Sequence, residues 1–183
     1  MDVTFRYTPP TAQTNVWIAG EFNSWNNQAT PLTSIGGNTF VVTLGLQVGG
    51  AGGLIPGAYQ YKFYYNGVSD WPNDPLNHRF NAADHDNSIL FVKNPTIYQF
   101  IPNQRTGLVK TSYPTFSAYL FPTTVSVIDT GSLALRVDST LYTHVGTAYN
   151  PTSKLFSYKV PHPLDNGLHT VYLTAGGNSD SVT

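Results

Sequence analysis

Tyr59-Gln60-Tyr61-Lys62-Phe63-Tyr64-Tyr65-Asn66-Gly67-Val68-Ser69-Asp70-Trp71-Pro72-Asn73-Asp74-Pro75 changes character halfway along its length. The first seven residues alternate with the two-residue period of a strand. Tyr59, Tyr61, Phe63 and Tyr65 share one face, and Gln60, Lys62 and Tyr64 share the other. Asn66-Gly67 ends the strand with a turn that tolerates positive φ. Trp71 follows inside a proline-bracketed segment that suits neither a regular strand nor a helix. An aromatic face is therefore expected to enter a core, with a lysine and a tryptophan presented nearby.

Working outward, the composition agrees with a strand-rich chain. The 183 residues include 16 Gly and 13 Pro, which leaves few stretches long enough for a full helix. Tyr, Phe, Val and Thr are plentiful and favour strands. A hydrophobic content of 40% argues against disorder. Only 10% of residues are charged and the net charge is −1, a poor match to nucleic acid, which calls for clustered Lys and Arg. Low charge with many Tyr, Asn, Thr and Gln describes a neutral, hydrogen-bonding surface that suits uncharged polar partners, carbohydrate foremost. The absence of cysteine rules out disulfides and thiolate metal sites. No apolar run approaches the length of a membrane-spanning helix. No leader peptide precedes residue 3, and the chain ends abruptly at Gly176–Thr183, as expected of a fragment of a longer protein.

Taken in order, Val3–Tyr7, Asn15–Ala19, Thr39–Leu44, Tyr59–Tyr65 and Ser88–Val92 read as strands, and Phe80–Asp86 as a loop. Gln47–Gly57, with its glycines, reads as a long connection. Asn94-Pro95 marks a boundary. Beyond it Tyr98–Ile101, Ser117–Phe121, Leu133–Val137, Phe156–Val160 and Leu168–Leu173 form a second strand series. The expectation is an all-β chain of two tandem immunoglobulin-like β-sandwiches, residues 1–94 and 95–183.

Val16–Asn26 (Val-Trp-Ile-Ala-Gly-Glu-Phe-Asn-Ser-Trp-Asn) resembles the opening of the family 48 carbohydrate-binding modules. That family includes the glycogen-binding domain of the AMP-activated kinase β subunit and the N-terminal domains of branching and debranching enzymes. Pro31-Leu32, Phe40–Leu44, Gly57–Phe63, Asn66-Gly67, Trp71, Asp74-Pro75 and Asn87–Val92 follow in the family's order, so the resemblance spans about residues 3–93. It implies that Trp25 and Trp71 stack on glucose rings while Lys62 and Asn87 bond to sugar hydroxyls. The chemistry is apt: an indole face matches the C–H face of a pyranose, and Lys and Asn supply donors and an acceptor. Kinase-type members carry a leucine at a hairpin tip before the final Asn, where this chain has Ala83-Asp84-His85. The second half resembles the immunoglobulin-like domain between such modules and a catalytic barrel in bacterial amylases, through Ser117–Leu120, Leu133–Asp138 and Pro163–Val171.

Each residue also has a plainer reading. Trp25 and Trp71 could fill cores, an outward strand lysine is ordinary, and Asn87 could cap the last strand. Trp17 reads as partly exposed and covered by the other domain. Asp84-His85-Asp86 with His78 offers metal-ligand chemistry without fixed geometry, and reads as a polar loop. The sole glutamate, Glu21, has no motif pairing it with Asp70 or Asp74 as a glycosidase would require. No nucleophile elbow or phosphate loop is present. The expectation is thus a non-catalytic region with no cofactor and no metal. It would bind an α-1,4-glucan such as starch, glycogen or a maltooligosaccharide, in an extracellular or periplasmic α-amylase-family enzyme whose catalytic domain follows. The alternative is a purely structural pair of domains packing on a (β/α)₈ barrel.

Overall fold

The computed structural model describes residues 2–45, 54, 56–122 and 126–183. Apart from Leu54, Pro56 and Gly57, the connection Gln47–Gly57 lies outside the described residues. The chain is all-β and divides into two units. One comprises residues 1–74 and 79–92; the other comprises 75–78 and 93–183.

Among its described residues the first unit carries seven strands: β1 (Val3–Tyr7), β2 (Val16–Gly20), β3 (Pro31–Gly36), β4 (Thr39–Leu44), β5 (Gly57–Tyr65), β6 (Phe80–Asn81) and β7 (Asn87–Val92). Their order is β1-β4-β3-β2-β5-β7-β6. The ribbon folds over at β3: Pro31 and Leu32 pair with Trp17 and Val16 of β2, whereas Thr33–Gly36 pair with β4. β1 and β5 are therefore far apart in strand order yet meet face to face. Tyr7 stacks on Phe63 at 4.2 Å between ring centroids, and Phe5 meets Tyr61 edge-on at 5.0 Å. Each ring buried in this way contributes about 1.5–3 kcal/mol. The tyrosine hydroxyl must find a partner inside, and Tyr61 donates to the buried Asp74 carboxylate at 2.8 Å. The same Asp74 donates its backbone N–H to Ser88 Oγ at 2.8 Å.

The alternation of β5 is real but narrower than its sequence suggests. Tyr61 and Phe63 are fully buried, while Tyr59 and Tyr65, near its ends, are half-buried. β3 was not foreseen, because its Pro, Thr, Ser and Gly lack a strand signature and its side chains are mostly exposed. The segment expected as a loop at Phe80–Asp86 opens with the two-residue strand β6, paired to β7.

The described residues of the second unit form two four-stranded sheets. β8 (Thr96–Ile101), β9 (Thr115–Phe121), β12 (Tyr149–Asn150) and β13 (Leu155–Lys159) form one, in the order β12-β13-β9-β8. β10 (Ala134–Val137), β11 (Thr140–Tyr142), β14 (Val171–Ala175) and β15 (Asn178–Val182) form the other, ordered β11-β10-β14-β15. Phe100, Phe116, Leu120 and Phe156 from the first sheet share a core with Leu135, Val171, Leu173 and Val182 from the second. β15 escapes a periodicity reading because its sequence is Asn-Ser-Asp-Ser-Val; backbone pairing with β14 holds it. Residues 75–78 pack within this unit. Asn103 Nδ2 donates to the Leu76 carbonyl at 3.0 Å, and His78 Nε2 lies 3.2 Å from the buried Asp180 carboxylate.

β14 begins at Val171, not Leu168, because the preceding residues are held in a clasp. His169 Nδ1 sits 2.7 Å from Asp138 Oδ2, and Nε2 sits 2.9 Å from the Asp165 carbonyl. Both partners are acceptors, so both ring nitrogens carry protons. Asp138 Oδ1 also accepts from the Thr170 N–H at 2.9 Å. The hydrogen bond to Asp138, then that to the Asp165 carbonyl, pushes the His169 pKa up. The bonds from His169 and then Thr170 hold the Asp138 carboxyl below its ordinary value.

Two outcomes are expected. Tyr61→Phe leaves the buried Asp74 carboxylate without that donor, and should lower unfolding stability in urea by about 1–3 kcal/mol. The clasp gives a pH dependence. The His169 contribution is complete below its ordinary pKa of about 6.5 and is lost as pH rises through the raised value. The Asp138 contribution is complete above about 3.9 and is lost as pH falls through the depressed value. The clasp is strongest between these limits, at the ~0.2–1 kcal/mol scale of exposed ion pairs. The difference in melting temperature between wild type and His169→Gln should peak near about pH 5.5 and shrink towards alkaline pH. A pH-independent difference would show that the imidazolium plays no part.

Candidate functional site

Three segments of the first unit converge on the outer face of β5. The first is the β2–β3 loop. A Cβ on Gly20 would lie 2.5 Å from the Gln60 carbonyl oxygen and 2.9 Å from Tyr61 Cβ, so only glycine lets the loop leave β2 against β5. A 3-10 turn, Glu21–Asn23, follows. Glu21 Oε2 accepts the Gln60 N–H at 2.8 Å, tying the turn to β5. Phe22 points inward, 5.8 Å from Phe5. Ser24 and Trp25 then adopt left-handed backbone (φ 54° and 58°), a conformation that costs non-glycine residues about 1–3 kcal/mol each. Asn23 holds them there. Its Oδ1 accepts from Gly20 N–H, and its Nδ2 donates to the Ile18 carbonyl and Thr30 Oγ1, each at 2.9 Å. Trp25 N–H closes the loop onto the Gly20 carbonyl at 2.9 Å.

The second segment follows β5. Phe63 N–H donates to the Pro72 carbonyl at 2.8 Å, which folds residues 66–72 back along the strand. Trp71 then packs on Tyr64 at 5.6 Å between centroids, and Tyr64 packs on Trp17 at 5.7 Å. Trp17 and Tyr64 are direct cross-strand partners. Trp17, expected to be covered by the other domain, thus meets Tyr64 within its own unit.

The third segment is the turn into β7. Asp84 N–H donates to Asn81 and Asn87 N–H to Asp84, both to backbone carbonyls. His85 and Asp86 are left-handed (φ 51° and 54°). The Asn87 Nδ2 group donates to Asp84 Oδ2 at 3.0 Å and to Gln60 Oε1 at 3.3 Å. Gln60 Oε1 also accepts from Asn81 Nδ2 at 3.1 Å.

Trp25, Lys62, Trp71 and Asn87, singled out from sequence, all line one open depression of about 360 Å³, together with Ser69, Asp70, Asp84 and His85. Both indoles are half-buried. Lys62 and Asn87 are each only 6% exposed, so they form part of the floor and do not project outward. The Lys62 ammonium lies 3.8 Å from the Asp70 carboxylate, whose side chain is almost fully exposed. Asn87 opens β7 and lines the depression as well, so its strand-capping and site-lining readings are compatible. Asn23, Gln60, Tyr64 and Asp84 support the site and were not read from sequence. Gln60 and Tyr64 had a signal, since both share the outer face of β5 with Lys62.

His78 lies against the buried Asp180 carboxylate. Among the described residues no group of three metal-ligating side chains is placed to hold a metal ion. Glu21 is committed to Gln60, and Asp74 is buried under Tyr61. A larger depression of about 920 Å³ lies in the second unit, lined in part by Leu108, Lys110, Leu164, Leu168 and His169. Its one aromatic lining residue, Phe116, is buried and offers no open ring face.

No protein-family model and no curated protein matches this sequence. Among solved structures, the maltogenic amylase from S. marinus is similar at a TM-score of 0.39 and 15% identity. The match covers 98% of this chain and 26% of the amylase chain, so this chain spans about a quarter of that protein's length. At this distance the likeness carries no argument about fold or activity.

Asn23→Ala removes four side-chain hydrogen bonds beneath Trp25 and should cost about 1–3 kcal/mol in unfolding stability. It should also shift tryptophan emission to longer wavelength as the loop loosens. An unchanged spectrum and unchanged urea midpoint would show that Asn23 does not hold the loop.

Proposed function

We propose that the first unit is a carbohydrate-binding module of the family 48 type that takes up a neutral α-1,4-glucan on this depression. Trp25 and Trp71 would stack on pyranose rings, and Lys62 and Asn87 would hydrogen-bond to their hydroxyls. The reading rests on one observation: residues from four separate stretches of chain line one open depression. The physics of that depression favours an uncharged, hydroxyl-rich ligand. Among the described residues no acceptor lies within hydrogen-bonding distance of the Lys62 ammonium, and its ion pair with Asp70 is long at 3.8 Å. A nearly buried ammonium in that state gains from ligand oxygens. Two residues of the lining, Trp25 and His85, have left-handed backbone, a costly arrangement that recurs where a fold serves a ligand.

The sequence resemblance extends this proposal to the whole protein. The two units would precede the catalytic domain of an extracellular or periplasmic α-amylase-family glycoside hydrolase, with the second unit as spacer or docking domain. One observation favours the purely structural alternative. Asn87 already bonds to Asp84 and Gln60, and Lys62 already pairs with Asp70.

Fluorescence titration with maltoheptaose or β-cyclodextrin separates the two. A shallow two-ring site is expected to bind in the range of about 0.1–1 mM, or ~4–5.5 kcal/mol. Trp71→Ala should abolish the response and Trp17→Phe should leave it intact, because Trp17 does not line the depression. Absence of any wild-type response at millimolar sugar would leave the structural reading standing.

A further inference from the structure

The depression has a polarity that its aromatic walls do not explain. Asp84 is a carboxylate and can only accept hydrogen bonds at neutral pH. Its Oδ2 lies 3.0 Å from the Asn87 side-chain nitrogen. The Asn87 amide cannot be flipped without setting its oxygen against that carboxylate. The second donor hydrogen of the same nitrogen goes to Gln60 Oε1, whose own orientation is fixed by the Asn81 amide. Asn87 therefore has no donor left, and its Oδ1 accepts no hydrogen bond from the described residues. The Lys62 ammonium, on the same depression, is donor only. The charged groups lining the depression are one ammonium, Lys62, and two carboxylates, Asp70 and Asp84.

We propose that Asp84 is a positioning residue that locks Asn87 as an acceptor, and that Asp84 and Asp70 together make the depression reject anionic ligands. This rests on the glucan-binding reading given above. A hydroxyl of an uncharged sugar donates to Asn87 Oδ1 while a neighbouring oxygen accepts from Lys62. A phosphate or carboxylate group on the sugar has no hydrogen to give Asn87 and meets two carboxylates of its own sign. The ligand class is thus an unmodified polyhydroxylated glucan, and a phosphorylated one is discriminated against.

Titration of the whole chain with maltoheptaose and with a phosphorylated maltodextrin of the same length tests this. Wild type should bind the phosphorylated ligand about tenfold more weakly, a difference that narrows with added salt. Asp70→Asn, which does not touch Asn87, should raise affinity for the phosphorylated ligand more than for maltoheptaose, so that the ratio of the two affinities moves towards one. Asp84→Asn removes the charged acceptor and leaves only the longer bond to Gln60 Oε1 to hold the Asn87 amide, and should also weaken maltoheptaose about tenfold. In ¹⁵N spectra of the unliganded protein, the Asn87 side-chain amide should shift and lose exchange protection in Asp84→Asn but not in Asp70→Asn. That readout does not depend on sugar, so an unmoved Asn87 amide overturns the positioning role whatever the titrations give. Equal wild-type binding of both ligands overturns the charge selection and leaves the glucan-binding reading intact. Binding of neither ligand overturns both.

Discussion

The period-two alternation of β5 is the constraint on which the first unit depends. Tyr61 and Phe63 face inward and meet Phe5 and Tyr7 of β1, closing the folded ribbon into two layers. Lys62 and Tyr64 face the other way because they have no choice: successive side chains of a strand point to opposite faces. A one-residue slip would bury the lysine in an aromatic core and expose two rings. The register that builds the core is therefore also the register that puts an ammonium on the floor of the depression.

The surrounding segments are attached to the same strand by hydrogen bonds. Glu21 ties the Trp25 loop to the Gln60 N–H. The Pro72 carbonyl ties the Trp71 segment to the Phe63 N–H. The Gln60 side chain gathers Asn81 and Asn87 from the third segment. Each loop carries one chemically distinct wall, and none is held by a disulfide, since the chain has no cysteine. The cost of two left-handed pairs is set against these bonds, with the Asn23 network the densest of them.

Much of this was legible in the sequence, and the parts that were not share a cause. β1 and β5 announce themselves because side chains of two kinds alternate along them, and β4 and β7 because they hold short runs of strand-forming apolar residues, Phe40-Val41-Val42 and Ile89-Leu90-Phe91-Val92. β3 and β15 do not, because Pro, Ser, Asn and Asp predominate there and only pairing with a neighbour makes them strands. The start of β14 was read three residues early because Leu168 looks like a core residue. In the structure it is exposed, in a loop pinned by His169 between two acceptors. Residues 75–78 read as part of the first half yet cluster with the second unit, through partners such as Asn103 and Asp180 that lie many residues away.

The sequence by itself determined the all-β class, the inner and outer faces of β5, and the identities of Trp25, Lys62, Trp71 and Asn87 as residues of interest. The class and the two faces follow from local rules of side-chain period, turn chemistry and residue type; the four residues came from the resemblance to the family 48 modules. Only the tertiary structure decided that the four share one depression and that Lys62 lies nearly buried beside Asp70. It also turned the Asn87 amide so that its oxygen accepts no hydrogen bond from the described residues. Those properties arise where separate stretches of chain meet, as Asn87 meets Gln60 at 27 positions' distance, and no local rule reaches that far. A side chain's chemistry is written in the sequence, but the direction in which it offers a donor or an acceptor is fixed by the neighbours that folding brings to it.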